Sequence, residues 1–156
     1  MRFILLKCLS LKCKVTFFLL FLLNCQPKEQ KKTEYDILAN YLATVHQYKL
    51  KEHIKTIFIL SDNNCNICNK KTAEFMSQKI KNNAVLFLII SSGSKIDISA
   101  FPDKQENVLY DNPDNVENDF FYDTKVVYLN NNKIVKTLKI QASQIGEQLL
   151  ELEERL

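Results

Sequence analysis

The stretch AVLFLIIS at residues 84–91 restricts the fold of this chain more than any other part of the sequence. It is apolar at every position but the last, and its length suits a strand better than a helix. A strand that lacks alternation of polar and apolar residues is typical of a sheet covered on both faces. The run TIFIL at residues 56–60 has the same character. Together the two runs predict an α/β domain with a central sheet flanked by helices on both faces.

Helical periodicity surrounds these two runs. Thr33, with Asp36 three residues later, predicts an N-cap. Apolar residues then recur at intervals of three and four, which predicts a helix over residues 34–51. A looser pattern over residues 65–81 predicts a second helix, and SQIGEQLLELEERL at 143–156 predicts an amphipathic third one.

The region between the second and third helices is less regular. NVLYD at residues 107–111 predicts a short strand, and Pro113 is suited to start a helical turn. KVVYL and KIVKTLKI flank the asparagines at 130–132, which predicts a hairpin because asparagine tolerates positive φ. A strand–helix–strand unit followed by a hairpin and a helix is typical of a mixed sheet in an α/β domain.

The basic charge is concentrated at the N-terminus. The first 24 residues contain four basic side chains and no acidic one, whereas the remainder has slightly more acidic than basic residues. No basic stripe interleaved with aromatic residues is present, so nucleic acid is not an expected partner. The basic start, the apolar run VTFFLLFLL at residues 15–23 and the polar exit are typical of a secretory signal peptide. The apolar run is shorter than the roughly 20 residues that a membrane-spanning helix needs.

The exit of this segment resembles a bacterial lipobox. Leu22 and Cys25 fit that pattern, whereas Asn24 is larger than the residue usually found before the cysteine. The sequence therefore predicts a lipoprotein signal peptide at 1–24, with Cys25 as the lipidated residue. A polar tether over 25–33 and a globular domain over 34–156 would follow. The expected location is the bacterial envelope, anchored to a membrane and facing the periplasm or the exterior. An ordinary signal peptide with an incidental cysteine is the alternative.

The motif CNIC at residues 65–68 lies where a predicted strand gives way to a predicted helix. The first amide N–H groups of a helix are unpaired and its dipole is positive there, so the pKa of the Cys65 thiol should be lowered. Cys68 faces the same side one turn later, at a Cα separation of roughly 5 Å that a disulfide accepts. Cys65 is thus the expected attacking thiol and Cys68 the resolving one.

With this motif in this order of elements, residues 34–156 resemble the thioredoxin-like superfamily. The resemblance implies thiol–disulfide exchange with protein or small thiol substrates, without a bound cofactor. It assigns the nucleophile to Cys65 and the resolving cysteine to Cys68. Asn66 and Ile67 correspond to the variable dipeptide between them, and with Thr124 they are the expected residues of the substrate groove.

Three positions depart from the family pattern. Asn64 stands where a tryptophan is frequent, and Ile59 stands where a buried acid is common. Thr124 lies at the place of the usual cis-proline, and since a cis bond before another residue costs about 2.5–4 kcal/mol, a trans bond is expected there.

Two other readings of the same cysteines remain. The pair could be an inert disulfide in a lipid-anchored binding module. It could also handle zinc or copper, with His46 and His53 as further ligands seven residues apart on the first helix. A zinc site needs about four ligands, and neither histidine has the four-residue spacing of a helical metal pair. No metal is therefore expected.

Overall fold

The computed structural model describes residues 32–62, 66–93, 96–97, 99, 101 and 105–156. The predicted signal peptide, the predicted lipidation site Cys25 and the predicted nucleophile Cys65 lie outside these residues. Within them, the chain forms three helices, five strands and two short 3₁₀ turns. The helices are α1 (Glu34–Val45), α2 (Asn66–Lys79) and α3 (Ile145–Arg155). The strands are β1 (Thr56–Ser61), β2 (Val85–Ile90), β3 (Val108–Asp111), β4 (Lys125–Asn130) and β5 (Lys133–Lys139). The 3₁₀ turns are Pro113–Asn115 and Asp119–Phe121.

The strands form one mixed sheet in the order β3-β2-β1-β4-β5. Strands β1, β2 and β3 are parallel, whereas β4 is antiparallel to both β1 and β5. Every residue of β1 and β2 is buried, as their continuous apolar sequences predict. The expected α/β architecture with a mixed sheet is therefore confirmed.

Each face of the sheet has its own apolar core. One core joins alternate strand residues such as Phe58 and Phe87 to apolar residues of α2 and α3. The other joins the intervening residues, such as Ile57 and Leu88, to α1, to the second 3₁₀ turn and to Val116 after the first. Because strand side chains alternate between faces, both sets are covered only when helices lie on both sides. Burial of each large side chain contributes about 1.5–3 kcal/mol.

Helix α1 begins as predicted but ends earlier. The hydroxyl of Thr33 accepts a hydrogen bond from the amide of Asp36, whose carboxylate accepts one from the amide of Thr33, so the capping box is present. The helix ends at Val45 instead of residue 51. Gln47 adopts a left-handed φ of 51°, and the amide of Tyr48 turns back to the carbonyl of Leu42 at 2.9 Å.

This early end corrects the prediction for the two histidines. His46 is the C-cap of α1, whereas His53 lies in an exposed turn beyond it. They do not share a helix face, since the chain has already left the helix between them. Among the described residues, no group of three or more His, Cys, Asp or Glu side chains could hold a metal ion.

The C-terminal half follows the sequence closely. Asn131 and Asn132 have φ values of 48° and 58°, which is the left-handed turn that the hairpin requires. In α3, Ile145 and Leu152 are buried, and Leu149 packs against the same core. Within the described part of the chain, no helix has the length and apolar character needed to cross a membrane.

Candidate functional site

The predicted site lies at the carboxyl end of β1. This strand ends at Ser61, and the next described residue, Asn66 after the gap at 63–65, begins α2. Strand β4 runs antiparallel to β1, with Lys125 opposite Ile59, so Thr124 lies beside the end of β1. The described peptide bonds are all trans, including the one before Thr124. The end of β1, the first turns of α2 and the residue before β4 therefore meet at one place.

Cys68 lies in the first turn of α2 and is only 1% exposed. Its sulfur is in a disulfide. Cys68 is the only cysteine among the described residues. The predicted resolving cysteine is thus a buried sulfur at the start of a helix, held in the oxidised state.

The two residues between the cysteines of the motif face outward. Asn66 is exposed, and Ile67 is 73% exposed. Ile67 therefore does not belong to the buried apolar face of α2. Ile67 thus presents its apolar side chain to solvent, next to Cys68 in the sequence.

Ser61, Asn69 and Thr124 form a buried hydrogen-bond network, here called the Ser61 network. The Asn69 amide donates to the Ser61 carbonyl at 3.2 Å, and the Thr124 hydroxyl accepts from the Ser61 amide at 3.1 Å. That hydroxyl also lies 3.2 Å from the Asn69 side-chain oxygen and 3.4 Å from the Ser61 carbonyl. Since a hydroxyl has one proton to donate, the shorter contact to Asn69 is the better bond. Both backbone polar groups of Ser61 are thus bonded to side chains from α2 and from the residue before β4.

The Ser61 network is almost inaccessible to water. Ser61 and Thr124 are each 1% exposed, and Asn69 is 0% exposed. Buried polar groups are costly unless they are hydrogen-bonded, so each member depends on the other two. The network therefore fixes the end of β1 relative to the helix that carries Cys68.

Asp62, the residue after Ser61, links the end of β1 to the end of β2. It is 4% exposed, and its carboxylate accepts bonds from the Ser91 hydroxyl at 2.8 Å and from the Ser92 amide at 2.7 Å. The Ser92 hydroxyl donates to it at 3.0 Å. An aspartate directly after a strand ordinarily serves as a turn former. The structure makes it the acceptor that joins the ends of two parallel strands.

Lys125 lies beside Thr124 but on the opposite face of the sheet. It is 5% exposed, and its ammonium group is 3.9 Å from the centroid of the Phe120 ring. Burial lowers the pKa of Lys125, although the nearby Asp123 carboxylate works in the other direction. Asp123 itself pairs with Lys139 at 2.6 Å. These contacts do not bring Lys125 or Asp123 to Cys68.

A second polar group of side chains lies two strands away, at the end of β3. Asp111 is in register with Ile90, which is in register with Ser61. Its carboxylate accepts hydrogen bonds from the Tyr41 hydroxyl and from the Asn115 amide, the latter at 2.6 Å. The Nε2 atom of His46 lies 3.3 Å from the same carboxylate. We call these four side chains, Tyr41, His46, Asp111 and Asn115, the Asp111 cluster.

Sequence reasoning missed Asn69 and Thr72 as residues of the site. Both are polar and 0% exposed, one and four residues after Cys68. The Thr72 hydroxyl has no hydrogen-bond partner among the described groups. The only signal in the sequence is their spacing from the cysteine, which places Thr72 on the same side of α2.

Comparison of the chain with protein-family models, with curated proteins and with solved structures gives no match.

Proposed function

We propose that this chain is a lipid-anchored thiol–disulfide oxidoreductase of the thioredoxin-like type, with Cys65 and Cys68 as its reacting residues. The observation that carries the proposal is the disulfide at Cys68, buried in the first turn of α2 at the carboxyl end of a central parallel strand. The order of the elements and the mixed sheet are compatible with that fold. Cys65, three residues earlier, is the proposed partner sulfur.

The proposed reaction is a two-electron exchange. The Cys65 thiolate attacks a substrate disulfide, a mixed disulfide forms, and the first substrate sulfur leaves and takes a proton from solvent. Cys68 then gives up its proton and attacks the Cys65 sulfur. The mixed disulfide breaks, the Cys65–Cys68 disulfide forms, and the second substrate sulfur leaves as a thiol. The substrate is reduced by two electrons and the cysteine pair is oxidised; in the reverse direction a substrate dithiol is oxidised.

The surroundings of Cys68 support these two roles. A cysteine that is only 1% exposed is not the first to meet a protein substrate, which suits the resolving step. Ile67, 73% exposed, offers an apolar contact beside the proposed nucleophile. The Ser61 network holds the end of β1 in place, so the segment leading to Cys65 starts from a fixed point.

The burial of Cys68 also favours a second candidate function, a binding module in which the disulfide is structural. Inert disulfides are typically buried and resist reduction. In that case Thr124 and its hydrogen bonds would serve stability alone. The two candidates differ in whether a foreign sulfur ever bonds to Cys65.

Replacement of Cys68 by serine is expected to trap substrates on Cys65. Without the resolving thiol, the mixed disulfide persists and is visible as a reducible higher-mass species on a non-reducing gel of envelope extract. The Cys65→Ser/Cys68→Ser double variant is the matched control and should trap nothing. If the single variant, with its Cys65 thiol shown to be free, also traps nothing, the exchange function is wrong and the binding module stands.

We propose Cys25 as the lipid attachment site, on the basis of the lipobox resemblance alone. Replacement of Cys25 by alanine is expected to move the protein from the membrane fraction to the soluble fraction, because a lipid chain adds about 0.8 kcal/mol of membrane affinity for each buried CH₂. Cys13→Ala, a cysteine change inside the predicted signal peptide, should leave the protein in the membrane fraction. Fractionation with immunodetection measures both. A membrane-bound Cys25→Ala protein would contradict lipidation at this residue.

A further inference from the structure

Thr72 carries a buried hydroxyl whose purpose the fold does not explain. The residue is 0% exposed, and its Oγ1 has no hydrogen-bond partner among the described groups. A buried hydroxyl without a partner costs free energy that a valine of the same shape would not. A polar side chain at this position therefore points to a partner that exists in another state of the protein.

The same residue type elsewhere in the chain behaves differently. In α1 the Thr44 hydroxyl donates to the Asn40 carbonyl, four residues earlier, at 2.8 Å. This is the ordinary bond of a helical threonine. Thr72 has the equivalent carbonyl four residues earlier, at Cys68, but makes no such bond. The Thr72 hydroxyl is therefore not hydrogen-bonded to the helix backbone.

Helix geometry places Cys68 one turn before Thr72 on the same face of α2. Side chains four residues apart lie on one face, and each leans toward the N-terminus of the helix, so Thr72 covers the turn that contains Cys68. Cys68 is 1% exposed, and apolar residues of α2 such as Ala73 and Met76 belong to the same core. The Asn69 amide, the next polar donor along the helix, already donates to Ser61.

We propose that Thr72 is a positioning residue for Cys68, whose hydroxyl donates a hydrogen bond to the Cys68 sulfur when the disulfide is reduced. This rests on the proposed function, because it matters only if Cys68 cycles between disulfide and thiolate. Two glutathione molecules reduce the pair by losing two electrons and forming their own disulfide. The Cys65–Cys68 bond breaks, and its two sulfurs take the two electrons and one of the two protons that glutathione releases. Cys65 becomes the thiolate while the other proton goes to solvent, and Cys68 takes its proton as a thiol whose sulfur accepts the hydrogen bond from the Thr72 hydroxyl.

The Thr72 hydroxyl then shifts the redox equilibrium toward the reduced protein through its effect on both states. In the disulfide state it is unsatisfied, which raises the free energy of the oxidised protein. In the reduced state it stabilises the Cys68 sulfur, which lowers the free energy of the dithiol and makes the thiolate needed for the resolving step more accessible. Loss of the hydroxyl should therefore favour the disulfide on both counts.

Replacement of Thr72 by valine tests the proposal. Equilibration with glutathione buffers is expected to shift about five- to tenfold toward the Cys65–Cys68 disulfide, where tenfold equals roughly 30 mV. The Thr72→Ser variant keeps the hydroxyl and should stay within about twofold of the unmodified protein, as should Thr44→Val, the matched helical control. In a Cys65→Ser background, Thr72→Val should raise the pKa of the Cys68 thiol.

Each result decides the matter. A Thr72→Val equilibrium within twofold of the unmodified protein, or a Thr72→Ser protein that behaves like valine, overturns the inference. Thr72→Ala is the second variant if valine prevents folding, which circular dichroism would reveal. Because the glutathione equilibrium needs no physiological substrate, it can fail while substrate trapping on Cys65 succeeds. An empty trap with a shifted equilibrium would instead refute the exchange function and leave the hydrogen bond in place.

Discussion

Replacement of Asn69 by leucine is expected to lower the free energy of unfolding of the oxidised protein by about 3 kcal/mol. The leucine has a similar volume but cannot donate to the Ser61 carbonyl or accept from the Thr124 hydroxyl. Both groups would then be buried without those bonds, and each such loss costs about 1–3 kcal/mol. Urea unfolding followed by circular dichroism measures the effect as a lower midpoint at unchanged slope.

Asn40 supplies the matched control for this change. It lies in α1 and is exposed, so Asn40→Leu should change the free energy of unfolding by less than about 0.5 kcal/mol. Combining Asn69→Leu with Thr124→Val should cost less than the sum of the two single changes, by about 1 kcal/mol, because they break the same bond. An Asn69→Leu protein as stable as the control would show that the Ser61 network does not hold the end of β1.

The strands and most helix boundaries could be predicted because short stretches of neighbouring residues determine them. Strands β1 and β2 have no polar residue facing either side along most of their length, and only a sheet covered on both faces accommodates that. Thr33 and Asp36 set the start of α1 through bonds between neighbours in the chain. Asn131 and Asn132 set the hairpin through their tolerance of left-handed backbone.

The end of α1 could not be predicted, since nothing local marks it. The apolar spacing continues through Tyr48, and glutamine is not a residue that usually signals a left-handed turn. Yet Gln47 takes a φ of 51° and the chain leaves the helix there. What decides this end is the packing of the following segment, where Ile54 joins the core beneath α1. Tertiary burial therefore overrides a helical pattern that the sequence alone would extend.

In the candidate site, too, one part could be predicted from the sequence and another could not. Counting back from the hairpin places Thr124 beside the cysteine motif, and the structure has its hydroxyl bonded to Ser61 and Asn69. The polar residues of α2 were not predictable as buried, because Asn and Thr in a helix ordinarily face water. Asn69 and Thr72 lie on the one face of α2 that is buried, and Cys68 lies on the same face. Which polar residues of a helix are enclosed in this way depends on the elements that the helix packs against.

The Asp111 cluster gives the second large effect, a stability that depends on pH. Burial opposes ionisation of Asp111, but hydrogen bonds from Tyr41, Asn115 and the Asn112 amide hold its pKa below the ordinary 3.8. Burial lowers the pKa of His46 below 6.5, although Asp111 acts in the opposite direction. Burial first, and then Asp111, raise the pKa of Tyr41 above 10.0.

The signs of these shifts define the stable range. As the pH falls below about 6.5, the unfolded chain protonates His46 before the folded protein does, and below about 4 the same holds for Asp111, so acid favours unfolding. As the pH rises above about 10, the unfolded chain loses the Tyr41 proton first, so base also favours unfolding. The contribution of these three groups to the free energy of unfolding is therefore largest between about pH 6.5 and about pH 10.

Replacement of Asp111 by asparagine is expected to cost about 3 kcal/mol at pH 7, because an amide nitrogen would face a donor and the charge-assisted bonds would be lost. The difference from the unmodified protein should narrow between about pH 5 and pH 2, where the native Asp111 loses its own contribution. Urea unfolding across this range measures both quantities. Asp114→Asn, an exposed aspartate in the neighbouring 3₁₀ turn, is the control and should shift stability little at any pH. A difference that stays constant down to pH 2 would show that the Asp111 carboxylate is not stabilised in the folded state, and that α1 and β3 are held together by packing alone.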